Sequence, residues 1–497
     1  MHLINCVFLL HLMLGSVTGE CDESPDCKGL YDRSITEIPA TKKAGITRVY
    51  FVGSQISTIP DRAFINSPQL EILDFLGMPI VSIETHAFEG LGRLRLIEIS
   101  VTNLTSLPLG VFQNLPSLKQ LILKINKIQK LEKGLFDGLM LKELHLHMNE
   151  IASIDEGIFD QLENLTFLHL ARNKISSVST ALFAKLSKLQ KLRLYENGIS
   201  AIPPGIFDDL PDLKEIALQG NKITEIPPHL FSKNTNLETL SLENNLLSEL
   251  PSEIFVGLPN IRFLTLQQNQ IASLPPMLFG EMHRLSQLDL NGNNLTVLPA
   301  GVFSPLKKLS KLDLSQNKFT SLSEEYFEGL VRLADLNLEK NMIESLKPKS
   351  FEQMTELRTL QLAHNKLRTL PEGIFDSLPK LSRVHLNNNP WHCDCRLISF
   401  FNWMKANTKK IKSSPPETCE SPESLKGQEV MSLTEDQLIC PTTPAIATTV
   451  PLTTTTSTTV AMTTELPTTN VHMTTPPPKQ QPPCPPPLLR QPRHLPP

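Results

Sequence analysis

Between Cys27 and Cys393 the chain contains no cysteine. Disulfides and thiolate metal sites are therefore excluded from that whole stretch, which must hold itself together by packing. An excess of one charge is lacking as well. The 47 Lys and Arg are nearly balanced by 51 Asp and Glu, for a net charge of −4 and a pI near 6.4. Nothing in that balance favours nucleic acid or an anionic membrane as partner. Past the N-terminus no apolar run reaches the roughly 18–20 residues that a membrane-spanning helix needs. The familiar signatures of catalysis are missing too, with no nucleophile elbow and no phosphate loop. One H-x-x-E pair occurs, His86 and Glu89, but Phe88 between them belongs to a column of repeated phenylalanines, so the pair reads as scaffold. No catalytic residue, metal or cofactor is expected.

The two ends differ from the middle. Val7 to Gly15 reads VFLLHLMLG, too short to cross a bilayer, and the small residues Val17-Thr18-Gly19 follow. Residues 1–19 are expected to be a secretory signal. Export leads to an oxidising compartment, where cysteines pair. At the other end, residues 442–497 include TTTTSTTV and TTPPPKQQPPCPPP. Such a segment can bury almost nothing and is expected to be a disordered, O-glycosylated stalk. Within it, Cys484 is either an intermolecular disulfide partner or an unpaired thiol.

The middle is periodic. LKQLILKINKI at 118–128, LTFLHLARNKI at 165–175 and LKEIALQGNKI at 213–223 align on L-x-x-L-x-L-x-x-N-x-L. The leading position recurs from Ile46 and Leu70 to Leu381, fifteen times, at steps of 24 residues with a single step of 23 from Leu118 to Leu141. L-x-L is a short strand whose alternate side chains point to opposite faces. Asn fills the ninth position from Asn126 to Asn389, where the chain turns inward and buried backbone groups need partners. The first three units carry Ser54, Met78 and Thr102 there, which predicts a less regular N-terminal end. A second column is phenylalanine, from Phe64 to Phe375, expected as a stacked spine under the outer wall. Proline recurs in a third column, as at Pro60 and Pro203, and disfavours long helices there.

This pattern resembles the extracellular leucine-rich repeat family. The resemblance implies an α/β leucine-rich repeat solenoid, a curved horseshoe with a parallel β-sheet on its concave face. Loops and short turns form the convex face, and disulfide-bonded caps close both ends. The expected organisation is an N-terminal cap at 20–45, repeats at 46–388 and a C-terminal cap at 389–441. NPWHCDC at 389–395, FFNWM at 400–404, Cys419 and Cys440 carry the C-terminal cap. Four cysteines allow three pairings; the family resemblance implies Cys393–Cys419 and Cys395–Cys440. A zinc site that includes His392 would need ligands kept reduced, which export opposes. Cys21 and Cys27 are expected to pair in the first cap. Trp391 and Trp403, the only tryptophans, are expected to plug the open end.

A solenoid binds with its concave face. The outward strand positions begin apolar, with Tyr50, Val52, Ile72, Leu76, Leu96 and Ile122. They continue basic and imidazole-rich, with His145, His147, His169, Arg172, Lys191 and Arg193, and end acidic, with Asp289, Asp313 and Asp335. These first two groups are the candidate protein-binding surface; the alternative is an ordinary solvated face. His145 and His169 share a column, so a metal site there is conceivable, and the charge of this patch is expected to change near pH 6–7. Sequons place N-glycans at Asn103, Asn164 and Asn294, beside the strands rather than on them.

A closer likeness lies in NPWHCDCRLISFFNWM, LKGQEV at 425–430 and LTEDQLICP at 433–441, together with YFVGSQISTIPDRAF at 50–64. These phrases resemble the large non-catalytic subunits of the carboxypeptidase N type. The resemblance implies a secreted, non-enzymatic glycoprotein. It would bind and stabilise a zinc carboxypeptidase catalytic subunit specific for basic C-terminal residues, the metal and the chemistry residing on the partner. The alternative is a cell-surface adhesion or signalling receptor of the platelet glycoprotein V type, which the Thr/Pro stalk would suit.

Overall fold

The computed structural model describes residues 28–39 and 45–440. The leader, Cys21, Cys27, Cys484 and the Thr/Pro tail all lie outside the described residues.

Sixteen strands form one parallel sheet in strict chain order, from Lys28–Tyr31 and Arg48–Val52 to Arg383–His385. Equivalent residues of successive turns face each other, Leu192 opposite Ile216 and Leu240 opposite Leu264. The 23-residue turn keeps register as well, with Leu121 opposite Leu144. Its missing residue falls in the loop past Phe136 and leaves the sheet undisturbed. Along each strand burial alternates as the pleat requires: Leu73 and Phe75 are fully buried, while Ile72, Asp74 and Leu76 are half-buried on the other face.

The chain must then leave the strand and bend inward at once. In all fifteen turns the residue just before the asparagine column is left-handed, with φ between 51° and 68°. Glycine takes this position at Gly53, Gly77, Gly220 and Gly292, and elsewhere side chains as unlike as Val101, Ile125, Glu196 and Lys340 do. The asparagines then join turn to turn. Asn221 donates from Nδ2 to the carbonyls of Leu194 at 3.0 Å and Leu218 at 2.9 Å, and its Oδ1 accepts from the Ile199 N–H at 3.1 Å. The same three bonds recur along the ladder from Asn149 to Asn389.

The first three turns lack these rungs. Ser54 Oγ reaches the carbonyls of Tyr31 and Asp32, and Met78 is buried with no polar function. Contrary to the expectation of irregularity, the sheet does not fray here. Arg48–Val52, Ile72–Leu76 and Leu96–Ser100 each pair over five residues. Inter-turn backbone bonds also continue beyond the strands, from Gly53 N–H to Leu76 at 2.8 Å and from Gly77 N–H to Ser100 at 3.0 Å.

The core is one continuous body of leucine, isoleucine and phenylalanine. The phenylalanine column is buried throughout, with ring centroids 6.5 Å apart for Phe64–Phe88, 6.1 Å for Phe88–Phe112 and 6.4 Å for Phe159–Phe183. The outer wall is mostly loop, with short 3-10 turns at Thr180–Phe183 and Glu324–Phe327. The one α-helix among the described residues, Ile398–Ala406, belongs to the C-terminal cap. It inserts Phe400, Phe401 and Met404 against the last turn. Trp391 is fully buried, its ring 4.9 Å from Phe400, and Trp403 lies 4.4 Å from Phe375. Cys393 bonds to Cys419 and Cys395 to Cys440, with Cα atoms 5.7 and 4.9 Å apart. The cysteines beside His392 are thus held in disulfides, and its ring meets Ser421 and Asp394.

The concave sheet face as a candidate binding site

Strand register arranges the outward side chains in three columns, and the middle one is decisive. It runs Tyr50, Asp74, Glu98, Ile122, His145, His169, Arg193, each opposite the next across the sheet. Neighbouring strands lie about 4.8 Å apart, so these side chains form one uninterrupted strip.

From Arg48–Val52 to Gln120–Ile122, six apolar side chains share the face with Arg48, Asp74, Glu98, Ser100 and Gln120. Tyr50, Val52, Ile72, Leu76, Leu96 and Ile122 all stand on this face and are half-buried by one another. Asp74 sits among them. Its Oδ1 is out of water's reach and accepts no hydrogen bond. Burial, reinforced by the Glu98 carboxylate next to it, pushes the Asp74 carboxyl up to about 7, against a smaller opposing pull from Lys124. Glu98 itself pairs with Lys124 at 3.0 Å. Neither acid was singled out from the sequence. Both occupy outward positions in the same column as Tyr50, but alternation reports direction and not solvation.

Next come the histidines. The His147 and His169 rings stack at 3.9 Å, with His145 6.3 Å from His169 and Phe167 edge-on to His145 at 4.9 Å. His169 is only 5% exposed, and the Nδ1 atoms of both His147 and His169 are buried without partners. The expected titration near pH 6–7 is overturned for these two. Burial first, then the neighbouring imidazoles and the cations Arg193, Arg172 and Lys124, push His147 down to about 4 and His169 down to about 2. Both stay neutral and form an aromatic floor. His145 Nε2 meets Glu143 at 3.1 Å. No group of three His, Cys, Asp or Glu with metal-binding geometry occurs among the described residues.

Arg193 lies over the Phe167 ring at 5.1 Å and pairs with Glu215 at 2.6 Å, while Lys191 is exposed at the strand's start. Arg172 requires a correction. It is not on the strand but at the left-handed turn position, φ 55°, where it bonds to Glu196 at 2.9 Å. Counting along the repeat puts it one residue before its asparagine, past the end of Phe167–His169 at the rim of the sheet. Three aromatic residues of the face escaped sequence reading. They are Phe167, Tyr195, whose ring lies 5.6 Å from His169, and Phe263, 63% exposed at the start of Phe263–Thr265. Farther on, Asp289, Asp313 and Asp335 help to line a polar groove of about 420 Å³. Asp313 there accepts from Asn337 Nδ2 at 2.9 Å.

His86 and Glu89 do not converge. His86 meets Asp61 at 3.2 Å and Glu89 meets Arg62 at 2.8 Å, so each merely ties its turn to the one before. Asn103 is exposed just past Thr102, Asn294 just past the ladder residue Asn293, and Asn164 precedes the leading Leu165. All three lie beside the strands.

Comparison with known proteins agrees with this architecture. Models of the leucine rich repeat match residues 93–151, 140–199, 163–223, 187–247, 211–271, 235–295, 283–343 and 332–390, continuous from 93 to 390 and more than half of the chain. The chain belongs to the leucine-rich repeat family. Among curated leucine-rich repeat relatives, human carboxypeptidase N subunit 2 is 45% identical over 58 residues, 12% of this chain and 10% of that protein. Rat trophoblast glycoprotein is 35% identical over 60 residues, 12% of this chain and 14% of that protein. The chain therefore spans only a small part of the length of the curated relatives it matches. The solved structure of TLR13 in complex with a single-stranded RNA superimposes with a TM-score of 0.68 at 25% identity, covering 82% of this chain and 60% of that one. That likeness is one of fold.

Proposed function

We propose that this leucine-rich repeat protein is a secreted, non-catalytic binding subunit that holds a protein partner on its concave sheet face. In this reading the partner is the catalytic subunit of a zinc carboxypeptidase specific for basic C-terminal residues, and the array stabilises it. The observation that carries the proposal is the apolar stretch Tyr50, Val52, Ile72, Leu76, Leu96 and Ile122, aligned by register on one open face. Apolar side chains gathered on one open face suit a protein contact better than a small solute. The identity of the partner rests on the likeness to carboxypeptidase N subunit 2. Secretion is supported by the disulfides Cys393–Cys419 and Cys395–Cys440, which need an oxidising compartment. A leader at 1–19, a Cys21–Cys27 pair, a Thr/Pro stalk from 442 and glycans at Asn103, Asn164 and Asn294 belong to the same proposal.

The test is direct. Mixed with a purified basic-residue carboxypeptidase catalytic subunit at about 10 μM, the protein should form one faster-sedimenting complex. The triple variant Y50D/I72D/L96D should fold but not bind. No complex with the unaltered protein would overturn the choice of partner, and full binding by the triple variant would move the site elsewhere. A second reading, a cell-surface receptor, is favoured by the likeness to trophoblast glycoprotein. No helix among the described residues is long and apolar enough to cross a membrane.

A further inference from the structure

We propose that Asp74 is an anchor for a single basic side chain, arginine or lysine, presented by the partner between apolar neighbours. The inference rests on the reading of this face as a docking surface and not on which protein docks.

Asp74 stands on Ile72–Leu76 between Ile72 and Leu76, with Tyr50 opposite on one side and Glu98 on the other. Val52 and Leu96 complete an apolar surround. Its Oδ1 accepts no hydrogen bond, and Ser100 Oγ, fully buried on the adjacent strand of the same face, is equally without a partner. A carboxylate with one oxygen buried and unpartnered is costly, and here a second carboxylate stands beside it. The charged and titratable groups around it are few. Tyr50 and Arg48 lie on the preceding strand, Glu98 on the following one and Lys124 beyond it. Lys124 is engaged by Glu98 at 3.0 Å. The Tyr50 phenol is itself held above its ordinary range by burial and by the Asp74 charge.

Such a place selects its ligand. A second anion would be repelled by Glu98, and a purely apolar group would leave Asp74 unsatisfied. A guanidinium or ammonium meets the carboxylate at Oδ2, Oδ1 being sealed from the surface, and its methylene stem lies along Ile72, Leu76 and Leu96. Docking of a cation draws the carboxyl back toward its ordinary range. Binding must therefore release a proton below about pH 7 and weaken as the solution is acidified.

The experiment uses the full chain and two acetylated pentapeptide amides, one with arginine flanked by leucines and one with citrulline in its place. By fluorescence anisotropy at about pH 8, the arginine peptide should bind at least about tenfold more tightly than the citrulline peptide. That gap should close to within about twofold in Asp74→Asn and, for the unaltered protein, at about pH 5.5. Glu98→Gln removes the neighbouring charge, so it should keep a gap and extend it to lower pH. Equal affinity for the two peptides, absence of binding by either, or an undiminished gap in Asp74→Asn overturns the anchor. Y50D/I72D/L96D separates the two ideas. Loss of both peptides there supports the docking face, whereas retention of the arginine gap would sink the apolar docking reading while leaving Asp74 standing.

Discussion

The first three turns and the twelve that follow share a backbone and differ in what holds neighbours together. From Asn126 onward each turn is tied to the next by an asparagine that bonds at both ends of its amide. Before it, Ser54 makes two bonds of one kind, Met78 makes none, and Thr102 leans on Asn126. The faces differ in step. Where side-chain rungs are missing the concave surface mixes apolar side chains with Arg48 and the acids Asp74 and Glu98; where they are present it carries imidazoles, ion pairs and polar groups. Backbone pairing alone is enough to keep the sheet regular. The asparagines therefore contribute strength between turns rather than the shape of the turn.

Replacing a rung should produce the largest effect. Asn221→Ala leaves the Ile199 N–H without a partner in the interior and takes one of two asparagine donors from each of the Leu194 and Leu218 carbonyls, and should cost about 3 kcal/mol. Ser54→Ala should cost no more than about 1 kcal/mol. Urea denaturation of both variants measures the difference, and equal losses would erase the distinction between the two regions.

The regions should also answer to pH in opposite directions. Asp74 has its folded-state pKa raised from 3.8 to about 7, so between those values the native chain binds more protons than the unfolded one. Stability from this group is present at low pH and lost as pH rises through about 7. Asp74→Asn should then stabilise the protein by about 2 kcal/mol at about pH 8 and by almost nothing below about pH 4. His147 and His169 have folded-state values depressed from 6.5 to about 4 and about 2. The unfolded chain takes up their protons first, so their contribution is present above about 6.5 and lost on acidification. Between about pH 7 and pH 5 each should cost up to about 2 kcal/mol, and His169→Phe should abolish its share. Melting temperature against pH for the two variants tests both signs. A pH dependence for His169→Phe as steep as that of the unaltered protein would contradict the assignment.

The smallest effect concerns the turn itself. Val101 is β-branched yet sits at φ 60°. Val101→Gly should stabilise by about 1 kcal/mol, since the relief of left-handed strain outweighs the added chain entropy. Gly77, which already holds the equivalent position one turn earlier, should lose a similar amount on Gly77→Val.

Most of the fold was legible because leucine, asparagine and phenylalanine each do one job at one position, and the job requires their chemistry. The left-handed position was not, because a backbone angle can be imposed by its neighbours. Val101, Ile125, Arg172 and His364 share nothing but that angle. Arg172 shows the consequence, since the repeat gave its place in the count but not the left-handed turn at the rim where it sits. The strip from Tyr50 to Arg193 was readable as a surface, whereas its solvation was not. Whether a histidine titrates depends on what covers it, and the stacking of His147 on His169 across two strands has no signature in either segment alone.

Each rung of the asparagine ladder bonds within its own turn and to the turn before it, and no farther. Excision of any whole 24-residue unit between Asn149 and Asn389 rejoins turns with the same bonding pattern and should leave no amide dangling. The molecule can thus be shortened or lengthened like a ruler, one graduation of about 4.8 Å at a time. A partner that grips two distant points on it would feel each graduation as a change in span.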